Sequence, residues 1–229
     1  MEAAELILKK DKEFGLRRGH YWVYREAVKR IPESLDTGSE VRVVSHKGDD
    51  LGRGYVDIDS PILVRRIDGD PELSLDKLIR TRVIDAVRLR RSCFDEKQTT
   101  GYRLINGEGD GIPGLVVDRY ASALSVQLYS LGLEPWFSAI CETLRREISG
   151  IRWIYRRNQV RRAKAGGDGL VFGRDFPGSV TFLENGMSFR VDLASGQKTG
   201  FFLDQRDNRA LIRTVARGKT VANVCGYTG

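Results

Sequence analysis

The chain has 229 residues, of which 41% are hydrophobic, and its 38 Lys and Arg exceed its 31 Asp and Glu by seven. This length is enough for one large domain or two small ones with a real core. The basic excess favours an acidic partner, of which nucleic acid is the commonest, and a purely solubilising charge is the alternative.

Cysteine spacing and hydropathy exclude several classes of protein. Cys93, Cys141 and Cys225 are widely spaced and form no CxxC pattern, so neither a disulfide framework nor a metal site is expected. No apolar stretch approaches the ~20 residues of a membrane span, and the N-terminus lacks the basic start of a signal peptide. We therefore expect a soluble, cytoplasmic protein with no membrane partner.

The first 67 residues are rich in predicted strands, at 5–9, 40–44, 51–57 and 61–67. Short strands at this spacing predict a small barrel. Between the first two strands, bases and aromatic residues alternate, a mixture that suits phosphates and unpaired bases of RNA. The alternative is that Trp22, Val23 and Tyr24 only pack into the barrel. The candidate RNA-binding residues of this stretch are Lys9, Lys10, Arg17 and Arg18.

A mixed segment follows a linker at 68–72. Apolar residues at helical spacing predict an amphipathic helix over 75–91. A strand, a glycine-rich turn and a second strand are predicted over 100–120, then a strand over 123–129 and a helix over 134–148 that places Pro135 in its first turn. The glycines of 107–114 fit neither phosphate-loop pattern and predict a tight hairpin connection.

The densest group of bases lies at 151–165, which contains no acidic residue. Arginine binds phosphate through a bidentate fork, so this group is a second candidate for contacting an RNA backbone. The alternative is a strand at 152–155 followed by a solvated loop. The candidates here are Arg156, Arg157, Arg161 and Arg162. Next, an Asn185-Gly186 turn predicts a hairpin of 180–183 with 187–191.

The segment from Ser195 to Arg209 begins as a polar loop between glycines and continues through two aromatic residues into a predicted helix that starts near Asp204. Residues 220–229 form an apolar run that ends in glycine, as the first strand of a nucleotide-binding sheet does. His20 and His46 are the only histidines and belong to no hydrolytic motif. These patterns alone favour a nucleotide site of unspecified type.

Four stretches resemble the PUA-domain-containing, SAM-dependent RNA methyltransferases, of the type that methylates cytosine C5 in bacterial large-subunit ribosomal RNA. They are Leu8–Tyr24, Arg103–Asp118, Gly196–Arg209 and Val221–Gly229. The resemblance implies an α+β chain with a PUA β-barrel at 1–70, a central strand-and-helix domain at 74–178 and the start of a Rossmann-like methyltransferase domain at 179–229.

The same resemblance implies S-adenosyl-L-methionine as cofactor and ribosomal RNA as partner. It implies no catalytic residue in this chain, because the family's ribose-binding acid, its proline motif and its nucleophilic cysteine correspond to positions after Gly229. We therefore expect the chain to bind RNA without methylating it. The implied cofactor-binding residues are Lys198, Thr199, Phe202, Asp204, Arg206, Asn223, Tyr227, Thr228 and Gly229.

Two other functions remain open from the sequence: an RNA-binding module without enzymatic activity, and a methyltransferase for another RNA base. A homodimer is also left open. Because the neighbours of the final strand are not in this chain, we expect that strand to be frayed, packed differently, or paired with another chain through its edge.

Overall fold

The structure is a computed structural model that describes residues 4–70, 72–158, 167–196, 199–222 and 224. The predicted α+β class is confirmed: three sheets and four α-helices enclose three clusters of buried apolar side chains. No helix in the described part of the chain is long and apolar enough to cross a membrane.

The N-terminal sheet closes into the predicted barrel. Its strands lie in the order β1-β3-β4-β5-β2. The end of β1 is joined to the segment after β2, because the Lys9 amide donates to Ala27 O at 2.8 Å and the Lys29 amide to Ile7 O at 2.9 Å. A short helix, α1 (Phe14–Arg17), lies between β1 and β2. The strands are β1 (Ala4–Ile7), β2 (Trp22–Tyr24), β3 (Glu40–Val44), β4 (Asp50–Val56) and β5 (Ile62–Arg66).

The middle of the chain forms a second five-stranded sheet, in the order β10-β9-β8-β7-β6. Strands β8 and β9 are parallel and are connected through a helix, whereas the other pairs are antiparallel. The strands are β6 (Gly101–Asn106), β7 (Leu115–Tyr120), β8 (Ala123–Leu128), β9 (Trp153–Asn158) and β10 (Gly169–Phe172).

Two helices supply apolar faces to the core of this central sheet, α2 (Leu75–Cys93) and α3 (Phe137–Glu147). Ser74 caps α2 by accepting a hydrogen bond from the Lys77 amide at 3.3 Å. The predicted second helix is displaced at its start: Pro135 lies in a 3₁₀ turn, Leu131–Trp136, and α3 begins only at Phe137. The 3₁₀ turn is anchored because the Gly132 amide donates to the Ser130 hydroxyl.

The hairpin predicted from Asn-Gly is present as β11 (Ser179–Glu184) and β12 (Met187–Asp192). Asn185 and Gly186 have φ of 51° and 75°, as a type I′ turn requires. A 3₁₀ turn, Leu203–Gln205, leads into helix α4 (Arg206–Val215), so the predicted helix near Asp204 is confirmed. Residues 220–222 and 224, the described part of the predicted final strand, belong to no strand.

The barrel and the central sheet share a buried polar contact. The Ser130 hydroxyl donates to Asp57 Oδ2 at 2.9 Å and accepts from Arg65 Nη1 at 3.0 Å. The buried Tyr55 hydroxyl of β4 donates to Pro113 O, in the connection between β6 and β7. The barrel is therefore held to the central domain by buried hydrogen bonds as well as by apolar packing.

Candidate functional site

The loop between β12 and the helical turn at Leu203 is closed by two glycines. A Cβ added to Gly196 would lie 2.4 Å from Asp192 O and 2.7 Å from Gly200 O, so no other residue fits there without moving the backbone. Gly200 has a φ of 124°. Both glycines therefore allow the two ends of the loop to approach each other.

Side chains from the central sheet hold this loop. Arg157 of β9 donates to Leu193 O and to Gly196 O, both at 2.8 Å. At the start of the loop, Asp192 Oδ1 accepts from the amides of Ala194 and Ser195 at 2.8 Å. The Ser195 hydrogen bonds hold the pKa of Asp192 below its usual value.

Thr199 is buried at the other end of the loop, with 1% exposure. Its hydroxyl donates to Asp118 Oδ2 and lies 3.1 Å from the Tyr120 hydroxyl. Arg103 of β6 donates to both oxygens of the fully buried Asp118 carboxylate. Burial raises the pKa of Asp118, and its hydrogen bonds to Arg103 and Thr199 oppose that rise.

An open cleft of about 590 Å³ lies beside this network. Its volume is within the range of small-molecule sites, about 300–1,000 Å³. One wall is the segment after the loop, and the other is the end of α2 together with β6. The lining residues are Leu89, Arg90, Cys93, Phe94, Arg103, Asn106, Phe201, Leu203, Asp204 and Arg206.

Arg206 occupies a central position between the two walls. Its guanidinium carbon lies 4.5 Å from the centroid of the Phe94 ring, and its Nη2 donates to Gly101 O at 3.0 Å. Its Nε is buried and has no hydrogen-bond partner among the described residues, although Glu184 Oε2 lies 4.0 Å away. The Nε–H of Arg206 can therefore donate to an anion in the cleft only if the side chain moves.

The predicted cofactor residues occupy different depths. Asp204 is exposed and Arg206 half-buried, and both line the cleft. Phe202 is half-buried, whereas its neighbour Phe201 is 2% exposed and packs in the core. Thr199 is behind the wall and uses its hydroxyl internally. The remaining predicted residues, Lys198, Asn223, Tyr227, Thr228 and Gly229, lie outside the described residues.

The described arginines of the basic group on β9, Arg156 and Arg157, do not form the phosphate-binding surface predicted for them. Arg156 is 6% exposed, and its guanidinium forms a bidentate ion pair with Glu134 at 2.7 and 2.6 Å. Arg157 is committed to the loop carbonyls described above. The groups that bind these two arginines are distant in sequence. The absence of acidic residues within 151–165 therefore did not mean that the arginines are unpaired. Arg161 and Arg162 lie outside the described residues.

The basic group at the start of the barrel is at the surface, as an RNA-binding role requires. Lys9, Lys10, Arg17 and Arg18 are all exposed. The guanidinium carbon of Arg18 lies 4.3 Å from the centroid of the Phe14 ring, which is 65% exposed. Arg17 also forms an exposed ion pair with Asp49.

Trp22, Val23 and Tyr24 of the neighbouring strand β2 have three separate environments. Val23 is buried in the barrel core, and Tyr24 is 39% exposed. Trp22 is half-buried, and its Nε1 donates to Glu108 Oε1 of the central domain at 2.7 Å. Core packing thus accounts for Val23, but not for Tyr24.

The sequence did not indicate that residues of the central domain also line the cleft, notably Arg90, Phe94 and Arg103. Arg90 forms a bidentate ion pair with Asp110, which holds it against the turn between β6 and β7. The signal in the sequence was the run of bases at the end of the amphipathic helix predicted over 75–91.

Fold and site together define an α+β protein in which a small barrel is joined to a mixed sheet and a cleft-forming C-terminal segment. A family model described as a PUA-like domain matches residues 6–68. Among solved structures, a Streptococcus mutans protein described as a SAM-dependent methyltransferase superposes with a TM-score of 0.77 at 23% identity, over 91% of this chain and 54% of its own. A protein described as a methyltransferase, complexed with SAH, gives a TM-score of 0.76 at 23% identity over 90% of this chain and 52% of its own. The chain shares their fold.

Curated relatives have higher sequence identity. Proteins named ribosomal RNA large subunit methyltransferase I from Shewanella denitrificans and Shewanella amazonensis are 38% and 39% identical, over 99% and 97% of this chain. The protein of that name from Alteromonas mediterranea is 36% identical over 99% of this chain. The chain spans 57–58% of the length of these relatives.

Proposed function

We propose that this chain is the RNA-binding and cofactor-proximal part of a SAM-dependent methyltransferase that acts on large-subunit ribosomal RNA. The observation that carries the proposal is the cleft, which places Asp204 and Arg206 of the segment resembling the family's cofactor wall opposite the central domain. The alignment with the curated relatives over nearly the whole chain supports the same assignment.

The described residues of the cleft fit S-adenosyl-L-methionine in part. The Asp204 carboxylate could accept hydrogen bonds from the ligand's ammonium group or ribose hydroxyls. The Arg206 guanidinium could bind the ligand's carboxylate. The Phe94 ring offers a π face of the kind that attracts cations. Thr199 does not belong to this set, because its hydroxyl is used inside the protein. When bound, the cofactor would supply an electrophilic methyl group.

RNA would bind first through the exposed bases of the barrel. Lys9, Lys10, Arg17 and Arg18 are available to phosphates, and the exposed Phe14 ring can stack with an unpaired base. Arg156 and Arg157 are left out of this proposal because Glu134 and the loop carbonyls occupy them.

We further propose C5 of a cytosine as the methylated position, on the resemblance alone. The 229-residue chain by itself is proposed to bind RNA and not to methylate it, because the family's nucleophile corresponds to a position after Gly229.

The test is methyl transfer from radiolabelled SAM to large-subunit ribosomal RNA, comparing this chain with the gene product extended to the length of the relatives. We expect activity only in the longer protein. Within it, Asp204→Asn should lower kcat/KM for SAM by roughly ten- to a hundredfold, since a hydrogen bond to a charged group contributes about 1.5–3 kcal/mol.

Asp207→Asn is the matched control, because Asp207 is also exposed and lies three residues further along. It should leave kcat/KM unchanged. RNA binding without methylation by the longer protein would instead support the non-enzymatic RNA-binding module, and methylation at another base would correct only the proposed position.

A further inference from the structure

The central sheet contacts the candidate cofactor segment through side chains rather than through β-pairing. Arg157 of β9 binds the carbonyls of Leu193 and Gly196, which precede the segment. Asp118 of β7 binds the hydroxyl of Thr199, at its other end. Two strands of one domain thus hold both ends of a loop that belongs to the next part of the chain.

These contacts are buried and charged, which makes them strong. Asp118 is completely inaccessible to solvent, and the side chain of Arg157 is 11% exposed. Hydrogen bonds with an ionised partner are roughly twice as strong as neutral ones, and a buried carboxylate that loses a partner keeps its desolvation cost. The loop is therefore not free to move independently of the central sheet.

The geometry excludes a direct ligand role for the Thr199 hydroxyl, because it lies between Asp118 and Tyr120 and is 1% exposed. Asp204 and Arg206 begin only a few residues later and do line the cleft. A displacement of Thr199 would reach them through Phe201, which is packed in the same cluster of buried side chains as Tyr120.

We propose that Asp118 and Arg157 are positioning residues for the cofactor cleft: they fix residues 193–196 and Thr199 and, through Thr199, the orientation of Asp204 and Arg206. The central domain then forms part of the cofactor site's framework as well as one wall of its cleft. This inference rests on the proposed function for its cofactor, but the anchoring itself can be measured without one.

The first experiment is hydrogen–deuterium exchange on the 229-residue chain. Thr199→Val removes the hydroxyl at nearly constant volume and should speed amide exchange in 193–196 and 199–203 at least tenfold. Thr199→Ser keeps the hydroxyl and should restore most of the protection. Ser125→Ala is the matched control: Ser125 is a buried hydroxyl on neighbouring β8 with no hydrogen-bond partner among the described residues. It should leave loop exchange unchanged.

The second experiment measures SAM affinity by calorimetry in the gene product extended to the relatives' length, with RNA affinity in parallel. Thr199→Val and Arg157→Lys should each raise the Kd for SAM at least fivefold and leave the Kd for RNA unchanged, and Thr199→Ser should bind SAM as the wild type does. If the wild type binds SAM but Thr199→Val alters neither loop exchange nor SAM affinity, the positioning role is wrong. If Thr199→Val speeds loop exchange without changing SAM affinity, the anchor is purely structural and the inference is also wrong. A wild type that binds no SAM would refute the proposed function instead, while the exchange data would still decide the anchoring.

Discussion

The ion pair between Glu184 and Arg209 is a main contact between helix α4 and the rest of the protein, beside the hydrogen bond from Arg206 to Gly101 O. Glu184, at the end of β11, is fully buried, and Arg209 donates to both of its carboxylate oxygens at 2.7 Å and to Phe202 O at 3.0 Å. None of the ten residues of α4, all of which are described, is buried. The helix is therefore held by polar contacts, and it is shorter than the ~12–15 residues that an isolated helix needs to be even marginally stable.

Arg209→Met keeps most of the side-chain volume and removes the charge. Breaking a buried ion pair by removing one partner costs about 3–5 kcal/mol. We expect the lower end of that range, because Arg206 Nε remains 4.0 Å from Glu184 Oε2. Helix α4 can limit this cost by detaching, which lets water reach Glu184. We therefore expect amide exchange in 206–215 to rise roughly a hundredfold, the equivalent of about 3 kcal/mol, with a smaller loss in the free energy of global unfolding.

Two further variants test the reasoning. Arg213→Met is the matched control on the same helix, since among the described residues Arg213 makes only an exposed hydrogen bond, to Asn185 O at 3.2 Å. The double variant Glu184→Met, Arg209→Met should recover much of the lost protection, because an apolar pair can replace a buried ion pair at little cost. Equal exchange in Arg209→Met and Arg213→Met would refute the reasoning.

Two further predictions concern the cleft and the barrel surface. Cys93 is exposed and lines the cleft, whereas burial raises the pKa of Cys141 to about 12, so iodoacetamide should alkylate Cys93 before Cys141, and SAM should slow the reaction of Cys93 in the extended protein. Peptide mass spectrometry measures both, and no protection by SAM at saturation would contradict the cleft assignment. Arg18→Gln should reduce the slope of log affinity for RNA against log salt by about 0.7–0.9 if Arg18 contacts one phosphate. Lys219→Gln makes an equal charge change at an exposed residue near the C-terminus and should leave the slope unchanged. Equal slopes for the two variants in fluorescence anisotropy would show that Arg18 does not contact RNA.

Local patterns in the sequence predicted most elements because their causes are local. The helix at 75–91 follows from apolar spacing, and the hairpin at Asn185-Gly186 from a dipeptide that tolerates positive φ at both positions. The start of α3 was misplaced because Pro135 fits a 3₁₀ turn as well as a helical first turn. The 3₁₀ turn is held by the distant Asp57, which accepts from the Ser130 hydroxyl and from the Leu131 amide, and local sequence does not show such a contact.

The candidate site was less predictable, because the contacts that define it are long-range. Thr199 and Asp118 are 81 positions apart, and Arg157 lies 36 positions before Leu193. Motif resemblance marked the segment near Asp204 and Arg206, which does line a cleft, but it could not distinguish a side chain that faces the cleft from one that faces the core. Likewise, an arginine-rich stretch indicates charge, but not which of its charges is neutralised by a residue such as Glu134.

The turn between β6 and β7 joins the barrel surface to the cleft. Its Glu108 accepts from Trp22 Nε1 of the barrel, and its Asp110 holds Arg90, which lines the cleft. Both acids lie in one 3₁₀ turn, Gly107–Asp110, whose conformation is set by hydrogen bonds from Gly111 and Ile112 back to it. A displacement of Trp22 would therefore act on Arg90 through a rigid four-residue unit. Tyr55 and Arg65 also fix the barrel to the central domain, independently of this turn. The surface proposed to bind RNA and the cleft proposed to bind SAM therefore keep a defined distance and orientation. A transferase needs this if the bound RNA is to present one base to one methyl group.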